Sequence, residues 1–173
     1  MSRPPVSSDS QPFFIGIDSD GTVFDSMEIK HKRVFQPVAV EIFELSEVAE
    51  DYCRLAEAIN LYSVRRGINR FEGLALAFDH LAQRSRAGAK AVSGHEDLQA
   101  FVACRTVLSC KTLASHLNTN TSEFLAKVLE WSRRSDALYK LIMEREGTPV
   151  FSRVKPILEE AQSAAELVVI SSS

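Results

Sequence analysis

Two aspartates separated by one residue directly follow an apolar segment near the start of the chain. Phe13 to Ile17 is nearly continuously apolar, and Asp18 and Asp20 come after it. Such a run is typical of a strand buried on both faces of a parallel sheet, and ligands of these sheets bind beyond the carboxyl ends of the strands. Strand-like alternation aims the two carboxylates in similar directions. Because adjacent carboxylates repel one another, the pair favours a bound cation or a shared proton.

Mg²⁺ suits this pair, since it takes oxygen ligands and accepts one or two carboxylates together with a substrate phosphate. Gly21 permits a tight turn and a close backbone approach to a ligand, and free amides of such a turn, at Gly21 and Thr22, can hold phosphate oxygens. We therefore expect Asp18 and Asp20 to bind the metal. The alternative is that both aspartates only cap a turn, although turn chemistry needs only one of them.

The run Asp-Ser-Asp-Gly-Thr at 18–22, followed by Asp25 and Ser26, resembles the first motif of the haloacid dehalogenase superfamily. The resemblance implies that Asp18 attacks phosphorus and forms an aspartyl-phosphate. It implies that Asp20 protonates the leaving oxygen and then activates water. The Mg²⁺ ligands of this motif are the carboxylate of Asp18 and the backbone carbonyl of Asp20.

The second motif of the superfamily is an apolar strand that ends in Ser or Thr, which binds the phosphoryl group. Leu167 to Ile170 followed by Ser171 matches it, so the resemblance makes Ser171 a phosphate ligand. Dehalogenases usually lack the aspartate at the place of Asp20, so the substrate expected is a small phosphorylated metabolite. A phosphomutase or a phosphonate hydrolase remains an alternative.

Helical patterns fill the chain between the two apolar runs. Pro37 either starts a helix or kinks one, and Asn120 with Glu123 resembles a capping box ahead of a helix that stops at Gly147. The small and polar segment Arg84–Gly94 is expected to be a loop. Apolar stripes and capping signals predict helices at Ser46–Ser63, Phe71–Leu81, Glu96–Ala103, Asn120–Arg145 and Pro156–Ala165.

These patterns predict an α/β chain with a large helical insertion. The expected parts are a loose tail at 1–12, a core strand with the first motif at 13–26, a helical segment at 27–153, and a core helix and strand with the second motif at 154–173. The resemblance implies a Rossmann-like core whose two parallel strands are neighbours. It makes the inserted segment a cap that closes over the substrate and excludes water.

The segment between the first two long helical patterns is the candidate for substrate contacts within the cap. It carries Arg65, Arg66, Asn69 and Arg70, and the arginines could pair with a second anionic group. The alternative is a solvated charged turn. The basic segment 30–32, which includes His31, either reaches the site or forms the exposed face of a helix.

The superfamily has two later motifs, which supply a lysine and a further acidic Mg²⁺ ligand. No residue up to Ser173 matches them by position. We therefore expect a fragment or a truncated product that hydrolyses phosphomonoesters very slowly by itself. The alternatives are a catalytically inactive helical interaction module and a two-chain enzyme whose partner supplies the missing motifs.

Composition narrows the class of protein. The chain has 173 residues, 45% of them hydrophobic and 25% charged, with a formal net charge of -3. Its basic residues are dispersed, which argues against nucleic acid and anionic membranes as partners. No apolar run approaches the length of a membrane-spanning helix, and the first residues do not resemble a signal peptide. Three cysteines without a CxxC pair favour a reducing cytoplasm over a disulfide framework.

Overall fold

The structure is a computed structural model, and it describes residues 13–104 and 107–170 of the chain. These residues fall into two compact units. The helical unit spans 27–147, and the terminal unit combines the two ends of the chain, 13–26 and 148–170. The sequence placed the end of the helical segment at Arg153. Residues 148–153 instead belong to the terminal unit, because Pro149 and Phe151 form backbone hydrogen bonds with the segment 23–25.

Helices of several lengths build the helical unit, and one of them has an unusual geometry. A π-helix, Ile29–Phe35, runs directly into α1, and the amide of Gln36 donates to the carbonyl of His31, five residues back. Pro37 follows as the second residue of α1. The remaining helices are α1 (Gln36–Ile42), α2 (Ala49–Asn60), α3 (Arg70–Arg84), α4 (Arg86–Ala91), α5 (Glu96–Ala103), α6 (Cys110–Leu117) and α7 (Glu123–Glu146). A 3₁₀ turn at Ser46–Val48 separates α1 from α2.

The longest helix, α7, confirms the prediction for this segment except at its start. Its N-cap is Ser122, whose hydroxyl accepts a hydrogen bond from the Leu125 amide at 3.1 Å. The predicted capping box of Asn120 and Glu123 is wrong, because Glu123 is the first helical residue and the Asn120 amide group donates to the His116 carbonyl instead. At the other end Gly147 adopts a φ of 79°, which an L-residue rarely tolerates, and so stops the helix.

The segment Arg84–Gly94 is not the loop that its composition indicates. It contains α4, which is capped by the Ser85 hydroxyl accepting from the Gly88 amide at 3.0 Å. A Cβ atom on Gly88 would lie 2.1 Å from the carbonyl oxygen of Leu81, so the small side chains allow α4 to pack directly on the backbone of α3. Small residues here signal close packing rather than an irregular backbone.

A single aromatic-rich core holds the helical unit together. Trp131 of α7 lies at its centre, 5.5 Å from the Phe35 ring and 6.4 Å from the Phe71 ring, and its indole N–H donates to the Phe35 carbonyl at 3.0 Å. The indole therefore satisfies its one donor while it is buried. The other large, fully buried aromatic side chains are Tyr52, Phe71, Phe78 and Phe101.

The terminal unit contains the two strands that the sequence predicted, with α8 (Val154–Gln162) ahead of the second. Strand β1 (Phe14–Asp18) pairs in parallel with β2 (Glu166–Ile170), which confirms that the strands are neighbours. Their predicted burial on both faces is wrong for the described residues. Phe14 is 74% exposed and Val169 is 69% exposed, since a two-stranded sheet with one short helix covers few side chains.

The chain thus combines many helices with one small parallel sheet, which is compatible with the α/β class. No helix among residues 13–104 and 107–170 has both the length and the apolar character needed to cross a membrane.

Candidate functional site

Strand β1 places Asp18 at the carboxyl edge of the sheet. In the parallel register Asp18 lies opposite Ile170, the last residue of β2, so the ends of both strands meet at this edge. The Asp18 side chain is exposed there. Ser171, the predicted phosphate ligand, follows Ile170 in sequence and lies outside the described residues.

A tight turn after β1 holds the rest of the first motif. The amides of Val23 and Phe24 both donate to the Ser19 carbonyl, at 3.0 and 2.9 Å. Gly21 has a φ of 76°, and its amide donates to the Phe24 carbonyl at 2.8 Å. The Gly21 amide is therefore occupied, in contrast to the free amide that the sequence predicts.

Thr22 is oriented towards the first aspartate. Its hydroxyl donates to Oδ2 of Asp18 at 3.0 Å, and its backbone amide has no hydrogen-bond partner within the described part of the chain. Oδ1 of Asp18 also lacks a protein donor among these residues. The turn thus fixes Oδ2 of Asp18 and leaves Oδ1 without a donor among the described residues. The Thr22 amide could hold an oxygen of a bound anion.

The second aspartate has a buried partner that the sequence reasoning gave no role. The Ser26 hydroxyl donates to Oδ1 of Asp20 at 2.7 Å, and Ser26 is fully buried. A short hydrogen bond to a carboxylate from a buried donor restricts the orientation of that carboxylate. The Asp25-Ser26 pair of the motif is the feature of the sequence that points to this contact. Ser26 lies six residues after Asp20, and that spacing alone does not predict that the two side chains meet.

Oxygen donors at this edge fit Mg²⁺ by their chemistry, although they supply only part of its shell. The carboxylates of Asp18 and Asp20 and the carbonyl of Asp20 are hard ligands of the kind that Mg²⁺ prefers, and waters and a phosphate commonly complete its six positions. Among the residues that the structure describes, no group of three or more His, Cys, Asp or Glu side chains could hold a metal ion by itself.

The tentative substrate contacts of the helical unit divide into two kinds. Asn69 caps α3, with its side-chain oxygen accepting from the Phe71 amide at 2.9 Å and its amide group donating to the Leu108 carbonyl. Arg70 forms an ion pair with Asp136. Both side chains therefore have structural partners. Arg65 and Arg66 lie in the exposed segment 62–67, and the Arg66 guanidinium donates to the Leu61 carbonyl at 3.2 Å.

His31 is buried, so it does not belong to an exposed helix face. Its ring meets the Phe35 ring edge-on at 5.1 Å. Burial, and secondarily the positive charges of Lys30, Arg66 and Arg70, lower the pKa of His31 from 6.5 to about 4. The imidazole is neutral at pH 7.

This histidine should make the helical unit sensitive to acid. Between pH 6.5 and about 4 the unfolded chain binds a proton at His31 that the folded chain does not bind. The corresponding stability is fully present above pH 6.5 and is lost as the pH falls through this window, by about 3 kcal/mol. We expect His31→Gln to lose less stability than the unchanged chain between pH 7 and pH 4 in urea unfolding.

Replacement of the exposed His80 by Gln on α3 is the matched control, and it should leave the pH dependence as it is. An equal pH dependence in His31→Gln and the unchanged chain would contradict the assignment of this acid sensitivity to His31.

A cavity of about 540 Å³ lies elsewhere in the terminal unit, against α8. Its walls are mostly apolar and include Val23, Phe151, Leu158 and Leu167. None of the predicted site residues that the structure describes lines it, and the sequence gave no sign of it.

The arrangement at the end of β1 can be compared with known proteins only through its motif. No protein-family model, curated protein or solved structure matches the chain.

Proposed function

We propose that the chain is a Mg²⁺-dependent phosphomonoester hydrolase with a core of the haloacid dehalogenase type, acting on a small phosphorylated metabolite in the cytoplasm. The observation that carries the proposal is the position of Asp18 at the carboxyl edge of a parallel sheet, with Oδ2 held by Thr22 and Oδ1 open. A carboxylate held in this way has a lone pair available for attack and a fixed direction from which to attack.

In the proposed reaction Oδ1 of Asp18 attacks phosphorus while the bond from phosphorus to the leaving oxygen breaks. Asp20 gives its proton to that oxygen, so the alcohol leaves neutral. Asp20 then takes a proton from a water molecule, which attacks phosphorus, releases inorganic phosphate and restores Asp18. Mg²⁺, when bound, would neutralise negative charge on the phosphoryl group and on Asp18.

Ser26 is a positioning residue in this scheme, since it fixes the carboxylate that transfers the proton. We expect Ser26→Ala to lower kcat by about tenfold with little change in KM, because the hydroxyl orients the acid and does not contact the substrate. Ser26→Thr keeps the hydroxyl and should retain more of the activity. Kinetics with a chromogenic phosphomonoester measure both effects.

The control is Ser19→Ala, which removes a hydroxyl from the same turn that makes no side-chain hydrogen bond within the described residues. If Ser19→Ala and Ser26→Ala lower kcat equally, the effect comes from the turn as a whole and Ser26 has no positioning role.

The function itself is tested by release of inorganic phosphate from a phosphomonoester, with and without Mg²⁺. The proposal expects release that EDTA abolishes and that a phosphodiester does not support. Identification of the second product separates a hydrolase from a phosphomutase or a phosphonate hydrolase. Phosphate release that is equal with and without EDTA would contradict the proposal.

A second candidate, a helical interaction module, is favoured by the self-contained core of the helical unit. The main buried cluster extends from Val38 to Trp131, and all its members belong to the helical unit. Such a module needs no chemistry at Asp18. The result that would favour it over the hydrolase is a chain that binds neither Mg²⁺ nor phosphate and hydrolyses no phosphomonoester.

A further inference from the structure

The terminal unit leaves nearly all of its apolar side chains exposed or only half-buried. Among residues 13–26 and 148–170 only Ser26 is buried, whereas the helical unit buries a large apolar cluster. Large apolar patches on a protein surface mark sites of interaction. The largely exposed hydrophobic side chains of the terminal unit are Phe13, Phe14, Ile15, Val150, Ile157, Val168, Val169 and Ile170.

This exposed surface is of the size that an interface requires. The two phenylalanines are 75% and 74% exposed, and the six aliphatic side chains are between 41% and 69% exposed. At ordinary side-chain areas these fractions amount to about 600 Å² of apolar surface. An interface of usual size takes about 800 Å² from each partner, of which little more than half is apolar.

Strand β2 presents a free edge to this surface. The described sheet has two strands, so β2 pairs with β1 on one side only. Its residues are one glutamate followed by four apolar residues, without the proline or lysine that protects many edge strands. Strand β1 is less suited to pairing, because it contains Gly16 and ends at the charged Asp18. An apolar edge such as that of β2 is a template for another strand.

The hydrogen bonds of the sheet show which backbone groups point to the free edge of β2. The Glu166 amide donates to the Phe13 carbonyl at 2.8 Å, so Glu166 and Val168 direct their N–H and C=O groups towards β1. These directions alternate along a strand. Leu167 and Val169 therefore direct their N–H and C=O groups away from β1, and these groups have no backbone partner among the described residues.

We propose that β2 pairs with the β2 strand of a second copy of this chain, antiparallel about a twofold axis at Val168. This register places Leu167 opposite Val169 of the second copy, so that their outward N–H and C=O groups bond one another. Val168 faces its counterpart, and Glu166 faces Ile170. The two copies then share a sheet of four strands in the order β1-β2-β2-β1, above the two strands that are marginal alone.

A second copy fits this edge better than an unrelated strand because β2 is complementary to itself. The same two outward residues serve both copies, and no carboxylate of β2 lies opposite another in this register. Pairing through one edge covers only part of the exposed surface, so we expect a weak dimer with a Kd of about 1–100 µM. The pairing uses no step of the proposed reaction and would survive its failure.

Sedimentation equilibrium of the full chain over a range of concentrations measures the dimer. Val168→Lys and Val168→Glu each place like charges opposite one another at the twofold axis, so each variant alone should dimerise at least about tenfold more weakly. An equimolar mixture of the two places opposite charges there and should restore dimerisation. Val168 is 41% exposed, so both variants should keep the circular dichroism of the unchanged chain.

Two further variants separate the strand edge from general effects. Val169→Pro removes an outward N–H that β1 does not use, so it should weaken the dimer while the sheet within each copy remains. Leu141→Lys is the matched control, since Leu141 is exposed to a similar degree as Val169 but lies on α7. It should dimerise like the unchanged chain.

The proposal is overturned if the chain remains a monomer up to about 1 mM, well above the expected Kd. Open-ended aggregates in place of a closed dimer overturn it as well, because the twofold pairing of one edge ends at two copies. It also fails if Val168→Lys dimerises like the unchanged chain, or if the folded Lys and Glu variants do not dimerise when mixed.

Discussion

Replacing Asp18 by asparagine should abolish the slow Mg²⁺-dependent phosphate release expected of this chain and leave only the uncatalysed reaction. The amide is nearly the same size and can still accept the Thr22 hydroxyl, which lies 3.0 Å from Oδ2 in the unchanged chain. It lacks the charge and the nucleophilic oxygen that the proposed reaction needs. Kinetics with an activated phosphomonoester, such as a nitrophenyl ester, measure the loss.

Glu160→Gln is the matched control for this prediction. Glu160 is an exposed carboxylate of α8 in the same unit and makes no ion pair among the described residues, so its loss should leave the rate unchanged. Activity in Asp18→Asn within a few fold of the unchanged chain would exclude Asp18 as the nucleophile.

Replacing Trp131 by alanine should destabilise the helical unit by about 3–5 kcal/mol, the usual cost of removing a large buried aromatic side chain. The substitution opens a cavity against Phe35 and Phe71 and leaves the Phe35 carbonyl without its indole donor. Trp131→Phe fills part of the space but still lacks the N–H, so its cost should be intermediate. Urea unfolding followed by circular dichroism measures both losses of stability.

Leu141→Ala is the control for the core, since Leu141 lies on the same helix and is 60% exposed. It should change the stability by less than about 0.5 kcal/mol. A loss for Trp131→Ala no larger than that for Leu141→Ala would contradict the placement of Trp131 at the centre of the core.

The sequence predicted most of the elements because each depends on a local pattern. The two apolar runs predicted β1 and β2, and the carboxyl-edge rule placed Asp18 where the strand ends. The apolar stripe of α7 and its stop at Gly147 are similarly local. The start of α7 was misplaced because Asn120 and Ser122 are both good caps, and only the folded chain decides which hydroxyl or amide meets a free N–H.

Other features depend on contacts that no local pattern contains. The composition of the segment Arg84–Gly94 indicates a loop. It contains α4 instead, because Gly88 can approach the Leu81 carbonyl. The burial of His31 depends on its packing against Phe35, and no local signal marks the π-helix that carries it. The Ser26 contact with Asp20 depends on a turn whose exact path follows from its hydrogen bonds to Ser19 and Phe24.

Covalent trapping of the phosphoryl group tests the central claim most directly, since it reports on the nucleophile even where turnover is slow. The full chain would be incubated with Mg²⁺ and acetyl phosphate and then analysed by intact mass and peptide mapping. The account predicts one phosphoryl group on Asp18, which accumulates in Asp20→Asn because attack of water on phosphorus lacks its base, and which is absent from Asp18→Asn. No adduct in Asp20→Asn, or an adduct on a residue other than Asp18, would contradict the account.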